Sequence, residues 1–124
     1  MSLRHPLAQV KGLGASGQGS HHWWWQRLTA LSLVPLTLWF LFSVIGHLGG
    51  DFATVRTWIS QPHTAVLLLL YLVSMFYHGM LGMQVILEDY IHTEGLRLAS
   101  ILLTKTVLLV AATASVFAVL SVAL

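Results

Sequence analysis

Cysteine is absent from this sequence. That excludes disulfides, a thiolate-bound iron–sulfur cluster carried by this chain, and thioether-attached haem. Any metal centre must use histidine or carboxylate, or belong to a partner. Charge is scarce as well. Lys and Arg number 6 and Asp and Glu 4 in 124 residues, or 8%, where a soluble domain carries about 25%. The formal net charge of +2 is too small to argue for a nucleic-acid partner. The first 22 residues contain no apolar core of the about 7–15 residues that a signal peptide requires, so none is expected. Gly12 to Ser20 reads instead as a flexible Gly/Ser tail. No internal repeat, coiled-coil heptad or phosphate-binding loop is present. The length suits one compact membrane unit without a second domain.

What the chain does have is apolar length, with 56% hydrophobic residues and a mean hydropathy of +0.79. A membrane span needs about 20 mainly apolar residues. Leu28 to about His47, Thr64 to Leu87, and Leu98 to the C-terminus each qualify, the last despite Lys105. The sequence predicts an all-α membrane protein with three transmembrane helices, about 28–47, 64–87 and 98–122, forming part of a multi-subunit helical bundle. Residues 1–27 form the preceding tail and an interfacial Trp segment. Pro35 lies inside the first span, where it removes one helical hydrogen bond. Arg4, Lys11 and Arg27 precede that span with no acidic residue among them. The positive-inside rule then puts the N-terminus and the Glu88–Arg97 loop in the cytoplasm and the C-terminus in the periplasm. Trp23-Trp24-Trp25 fits an aromatic belt at the cytoplasmic interface.

One histidine falls deep in the second span. His78 lies ten residues before Glu88, about 15 Å into a core of about 30 Å. An ionisable group at that depth is costly unless something engages it, which makes it a functional candidate. Asp89-Tyr90 follows where the helix leaves the membrane. At about 100° and about 1.5 Å per residue, His78 and Asp89 point within about 20° of each other and lie about 16 Å apart. Two readings of His78 stay open: a packed residue bonded to a serine or a carbonyl, or a ligand to a flat cofactor. Ser74, Gly79 and Gly82 around it either clear space for such a cofactor or serve close helix packing. Counting in from the span ends sets His78 level with Leu38 or Trp39 in the first helix and Val107 in the third. His47 and His63 belong to the outer end, and His92 lies about 21 Å below on a helical rise. If the ligand is a haem with two axial histidines, its second ligand must come from another polypeptide.

Two motifs carry a family resemblance: Trp25-Gln26-Arg27-Leu28-Thr29-Ala30, and His78-x₃-Gly82-Met83-x₅-Asp89-Tyr90. With the three-span layout, they make the chain resemble the small hydrophobic anchor, or D-type, subunits of the succinate dehydrogenases (succinate:quinone oxidoreductases, respiratory complex II). The resemblance implies that His78 is an axial ligand of a haem b iron shared with a larger cytochrome b anchor subunit. It implies that Tyr90 donates to a ubiquinone carbonyl, with Asp89 beside it, and that Arg27 lies near the haem propionates. It further implies a flavoprotein with FAD and an iron–sulfur subunit on the cytoplasmic side of a bacterial inner membrane. Electrons from succinate would pass through the assembly to quinone, with no stand-alone catalysis by this chain.

The residue chemistry is compatible with those roles. Quinone reduction takes two electrons and two protons. A neutral tyrosine can donate to the carbonyl, and a neighbouring carboxylate can orient that hydroxyl or relay protons. An arginine fork suits a propionate. On the cytoplasmic side Arg27, Asp89 and Tyr90 are expected in one layer. Ordinary interfacial anchoring is the alternative for Tyr90 and Arg27. His21 and His22 read as solvated tail at the headgroup surface, His92 as loop, and Lys105 as snorkelling to the cytoplasmic surface. Glu88 and Glu94 read as solvated interface charges. Two further functions stay open: a haem-free structural anchor, and the anchor of a related quinol:fumarate reductase. A small proton-coupled transporter would need a midplane carboxylate, and the acidic residues all lie outside the spans.

Overall fold

The computed structural model describes residues 6–7 and 18–124. Residues 1–5 and 8–17, including Arg4, Lys11 and most of the expected Gly/Ser tail, lie outside the described residues. Three long helices carry the structure: α1 (Gln18–Gly46), then after a short α2 (Phe52–Ser60), α3 (Pro62–Tyr90) and α4 (Glu94–Ala123). All three long helices are apolar and long enough to cross a membrane. At 29 residues each, α1 and α3 extend about 43 Å, more than the hydrocarbon thickness of about 30 Å.

That excess explains where the sequence expectation and the structure differ. Hydropathy marks the stretch that must sit in hydrocarbon, whereas the helix runs on through the headgroup layers, where its backbone groups are still better paired than not. So α1 begins at Gln18 rather than Leu28 and carries His21, His22 and the three tryptophans on its first turns. The helix continues through Pro35, whose missing N–H leaves the Leu31 carbonyl without its usual partner.

The segment between the first two spans is itself helical, which apolar content alone did not indicate. Gly49 turns the chain with a φ of 84°, a value open to glycine at no steric cost. Asp51 then caps α2, accepting from the Thr54 amide at 2.9 Å and from the Thr54 hydroxyl at 2.7 Å. Those two hydrogen bonds hold the Asp51 carboxyl below its ordinary pKa, the side-chain bond contributing most. Pro62 in the first turn of α3 suits a position where no amide partner is needed. Ser60, which donates to the Arg56 carbonyl at 2.7 Å, lies with its Oγ 3.1 Å from the Val122 carbonyl, bringing the end of α2 against the last turn of α4.

α3 is the middle of the arrangement, packing on α1 and on α4; among the described residues no Cα atom of α1 comes within 8 Å of one of α4. The result is a layer of three helices rather than a closed bundle. Among the described residues few side chains are buried: Ala65, Leu68 and Leu81 on α3 are apolar, and Thr29 and Thr64 are polar. Large apolar residues along α1 and α4, Phe42 and Phe117 among them, remain exposed.

Candidate functional site

α1 and α3 meet along an antiparallel seam whose lining is polar for three turns. Thr29 Oγ1 lies 3.0 Å from His78 Nδ1. One turn along, Ser32 Oγ, which donates to the Thr29 carbonyl at 3.0 Å, lies 3.4 Å from Ser74 Oγ. One turn the other way, Gln26 faces Gly82, where an added Cβ would stand 3.8 Å from Gln26 Nε2. Trp25 and Tyr77 close the seam with an edge-to-face contact, ring centroids 5.9 Å apart.

His78 is half-buried in this seam, level with Thr29. The expected level of Leu38 or Trp39 is therefore wrong by nine or ten residues, because the count started at Leu28 and α1 starts ten residues earlier. The expected level on the third helix stands closer: Tyr77 and Met80 share an apolar cavity with Leu108, Leu109 and Ala112 of α4. The small residues near His78 divide between the two readings. Ser74 and Gly82 face α1, as the packing alternative expects, although a Cβ on Gly82 would make only an ordinary contact there, whereas a Cβ on Gly79 would meet nothing within 4 Å.

Among the described residues His78 makes one side-chain hydrogen bond, at Nδ1, and none at Nε2. No three His, Asp or Glu side chains among the described residues are grouped so as to hold a metal ion. His78 thus keeps one ring nitrogen, Nε2, outside any hydrogen bond among the described residues.

Asp89 and Tyr90 are the last two residues of α3. The helix stops there because Ile91 turns extended, its amide still bonding the Leu87 carbonyl at 3.0 Å. Tyr90 is 80% exposed, and neither Asp89 nor Tyr90 has a side-chain bond among the described residues. Glu88 behind them accepts from Gln84 at 2.9 Å. The unbroken helix keeps Asp89 about 16 Å from His78 along the axis.

Arg27 does not join them. It follows Gln26, which faces Gly82, eight residues or about 12 Å along α3 from Tyr90. Two residues from Thr29, it also points about 160° away from the seam, with its guanidinium 5.4 Å from the Trp23 ring centroid. The single layer expected for Arg27, Asp89 and Tyr90 is not what forms, again because α1 starts early.

His22 differs from its expectation as well. It belongs to α1 rather than to a solvated tail, and its Nε2 is buried without a partner, as is Gln26 Oε1. His22, Gln26, Thr29 and Ser32 recur at helical spacing on the face that meets α3. This stripe of polar residues, and Thr29 above all, went unread in the sequence. The signal was present: polar residues three and four apart in an apolar helix mark its contact face. At the opposite end, His47 stacks on Trp58 with centroids 4.7 Å apart and bonds the Ser43 carbonyl at 2.7 Å. His92 lies between α3 and α4, as expected.

Comparison with known proteins agrees with this layout. The family model for the succinate dehydrogenase/fumarate reductase transmembrane subunit matches residues 1–119. The succinate dehydrogenase hydrophobic membrane anchor subunit of Rickettsia bellii is 36% identical over 103 residues, covering 83% of this chain and 82% of the relative. The succinate dehydrogenase membrane anchor subunit of Reclinomonas americana is 36% identical over 92 residues, covering 72% and 77%. The Paracoccus denitrificans anchor subunit is 26% identical over 97 residues, covering 78% and 74%.

Proposed function

The chain belongs to the family of succinate dehydrogenase/fumarate reductase transmembrane subunits, and from that premise we propose that it is the small hydrophobic anchor of a succinate:quinone oxidoreductase. In this reading His78 fills one axial position of a haem b, and Asp89 and Tyr90 form part of the ubiquinone-reduction site. The observation that carries the reading is the state of His78: mid-helix, held at Nδ1 by Thr29, with no bond at Nε2. A porphyrin brings its own equatorial ligands, so one imidazole nitrogen from this chain and one ligand from a larger cytochrome b subunit complete such a site. The donor set fits the group. A haem held there would supply one-electron storage.

The remaining work of this chain is positional. Tyr90, exposed at the end of α3, offers its hydroxyl to a quinone carbonyl, and Asp89 beside it orients that hydroxyl and passes protons from water. Arg27, charged and forked, is the residue of this chain that would suit a propionate. The flavoprotein with FAD and the iron–sulfur subunit dock on the side where Tyr90 lies. That side is the cytoplasmic face of a bacterial inner membrane, with the C-terminus in the periplasm. Whether the assembly oxidises succinate or reduces fumarate is set by partner clusters and quinone potential, and the family includes both kinds of enzyme.

The test is a reduced-minus-oxidised visible spectrum of the complex purified through this chain, with its co-purifying subunits identified, for wild type and His78→Ala. The expected result is a b-type band in the wild type that is lost or displaced in His78→Ala, with flavoprotein and iron–sulfur partners in both. Partners without a band identify a haem-free anchor. An unchanged band in His78→Ala rejects His78 as the ligand.

A further inference from the structure

Thr29 occupies a position that fixes which nitrogen of His78 carries its proton. Its hydroxyl lies 2.7 Å from the Trp25 carbonyl and 3.1 Å from the Gln26 carbonyl. Two oxygens approach to 2.7 Å only with a proton between them, and a carbonyl has none to give. The single hydroxyl proton of Thr29 is therefore committed to the Trp25 carbonyl. The contact of 3.0 Å between Thr29 Oγ1 and His78 Nδ1 must then be bridged by a proton on the imidazole. Nδ1–H donates, Thr29 Oγ1 accepts, and Nε2 is left with a bare lone pair, the form that binds a metal.

We propose that Thr29 is a positioning residue for the His78 ligand. It locks the Nδ1–H tautomer and ring orientation, and it tunes the basicity of Nε2 through the relay from His78 through Thr29 to the Trp25 carbonyl. This rests on the haem reading of His78. Three features support it. Thr29 is 8% exposed, so water does not compete for the ring proton. It belongs to α1 and His78 to α3, so the bond also sets the distance between the two helices at the level of the ligand. A hydroxyl already donating to a carbonyl is polarised into a better acceptor. Metal-bound histidines commonly give their second N–H to such a partner, which raises their basicity.

The test replaces Thr29 with valine, which keeps the shape and removes the acceptor, and with serine, which keeps the hydroxyl. Haem content, reductive titration and the oxidised-state electron paramagnetic resonance of the purified complex are the readouts. A less basic Nε2 favours the ferrous state. In Thr29→Val the reduction equilibrium is expected to move about three- to tenfold toward reduced haem, the weight of one hydrogen bond. At about 59 mV per decade that is a rise of about 28–59 mV. Haem retention should fall about tenfold, and Thr29→Ser should stay at the wild-type potential. An unchanged potential in Thr29→Val overturns the proposal. So does a Thr29→Ser shift as large as that of valine, which would make packing the cause. If Thr29→Val does not assemble, Thr29→Ala removes the same acceptor with less bulk and is read by the same criteria. His78→Ala separates the two ideas. If it leaves the haem signal intact, the ligand reading itself is wrong. If it abolishes the signal while Thr29→Val changes nothing, only the role of Thr29 is lost.

Discussion

Gly79 and Gly82 stand within one turn of His78, and the structure predicts that adding a methyl group to each has opposite consequences. At Gly82 a Cβ would lie 3.8 Å from Gln26 Nε2, an ordinary contact with the far end of a flexible side chain. Alanine also favours helix over glycine by about 1 kcal/mol. Gly82→Ala is therefore expected to leave assembly and cofactor content at wild-type levels. At Gly79 a Cβ would meet nothing within 4 Å in this chain, so the same gain in helix propensity comes without any internal clash. Any loss in Gly79→Ala must then arise from whatever covers this face in the assembled complex. If the haem lies against Gly79, the added methyl overpacks a close contact at a cost of about 1–3 kcal/mol, or about 5- to 150-fold in haem affinity. The assay is haem per complex, titrated at limiting haem supply, alongside the yield of co-purifying subunits. Full haem occupancy and full assembly in Gly79→Ala would refute the reasoning that this open glycine marks the cofactor side of the helix. Loss of both haem and subunits in Gly82→Ala would refute the reading of the α1 contact as accommodating.

Tyr90→Phe should lower quinone reduction about tenfold, the loss of one well-placed hydrogen bond. Succinate oxidation by an artificial acceptor should be unchanged, and equal loss of both rates would identify an assembly defect instead. Asp51 supplies a pH dependence. Its folded pKa is depressed by the two Thr54 bonds, so its capping contribution is complete above the ordinary carboxylate value of about 3.9 and disappears as pH falls through the folded value. Amide exchange in Phe52–Ser60, corrected for intrinsic rates, should therefore accelerate only in that acid range. Asp51→Ala should show the faster exchange at every pH, and identical protection in variant and wild type would remove the cap as the reason for α2.

Much of the architecture was legible because membrane spans announce themselves by length and hydropathy. The connection at Ile91 to Thr93 and the placement of Asp89-Tyr90 at a helix end followed from the same signal. What was not legible was the vertical register between helices. Hydropathy locates hydrocarbon, so it missed the early turns of α1 from Gln18 onward, and every level counted from Leu28 inherited the error. The partner of His78 was missed for a related reason. Thr29 is an unremarkable residue in a membrane helix, and it gains meaning only when α1 brings it against His78 and the Trp25 carbonyl takes its proton. The α2 helix escaped notice because a capped segment of nine residues leaves no apolar run to find.

The bond between Thr29 and His78 also bears on biogenesis. A bare imidazole among acyl chains favours retreat to the headgroups. Because the polar seam is supplied by two helices of the same chain, half of that imidazole is satisfied at once, and only Nε2 waits. The subunit can therefore reside in the lipid phase with that ring already oriented. Were a haem to bind there as proposed, its delivery and the docking of neighbouring subunits could then occur in either order.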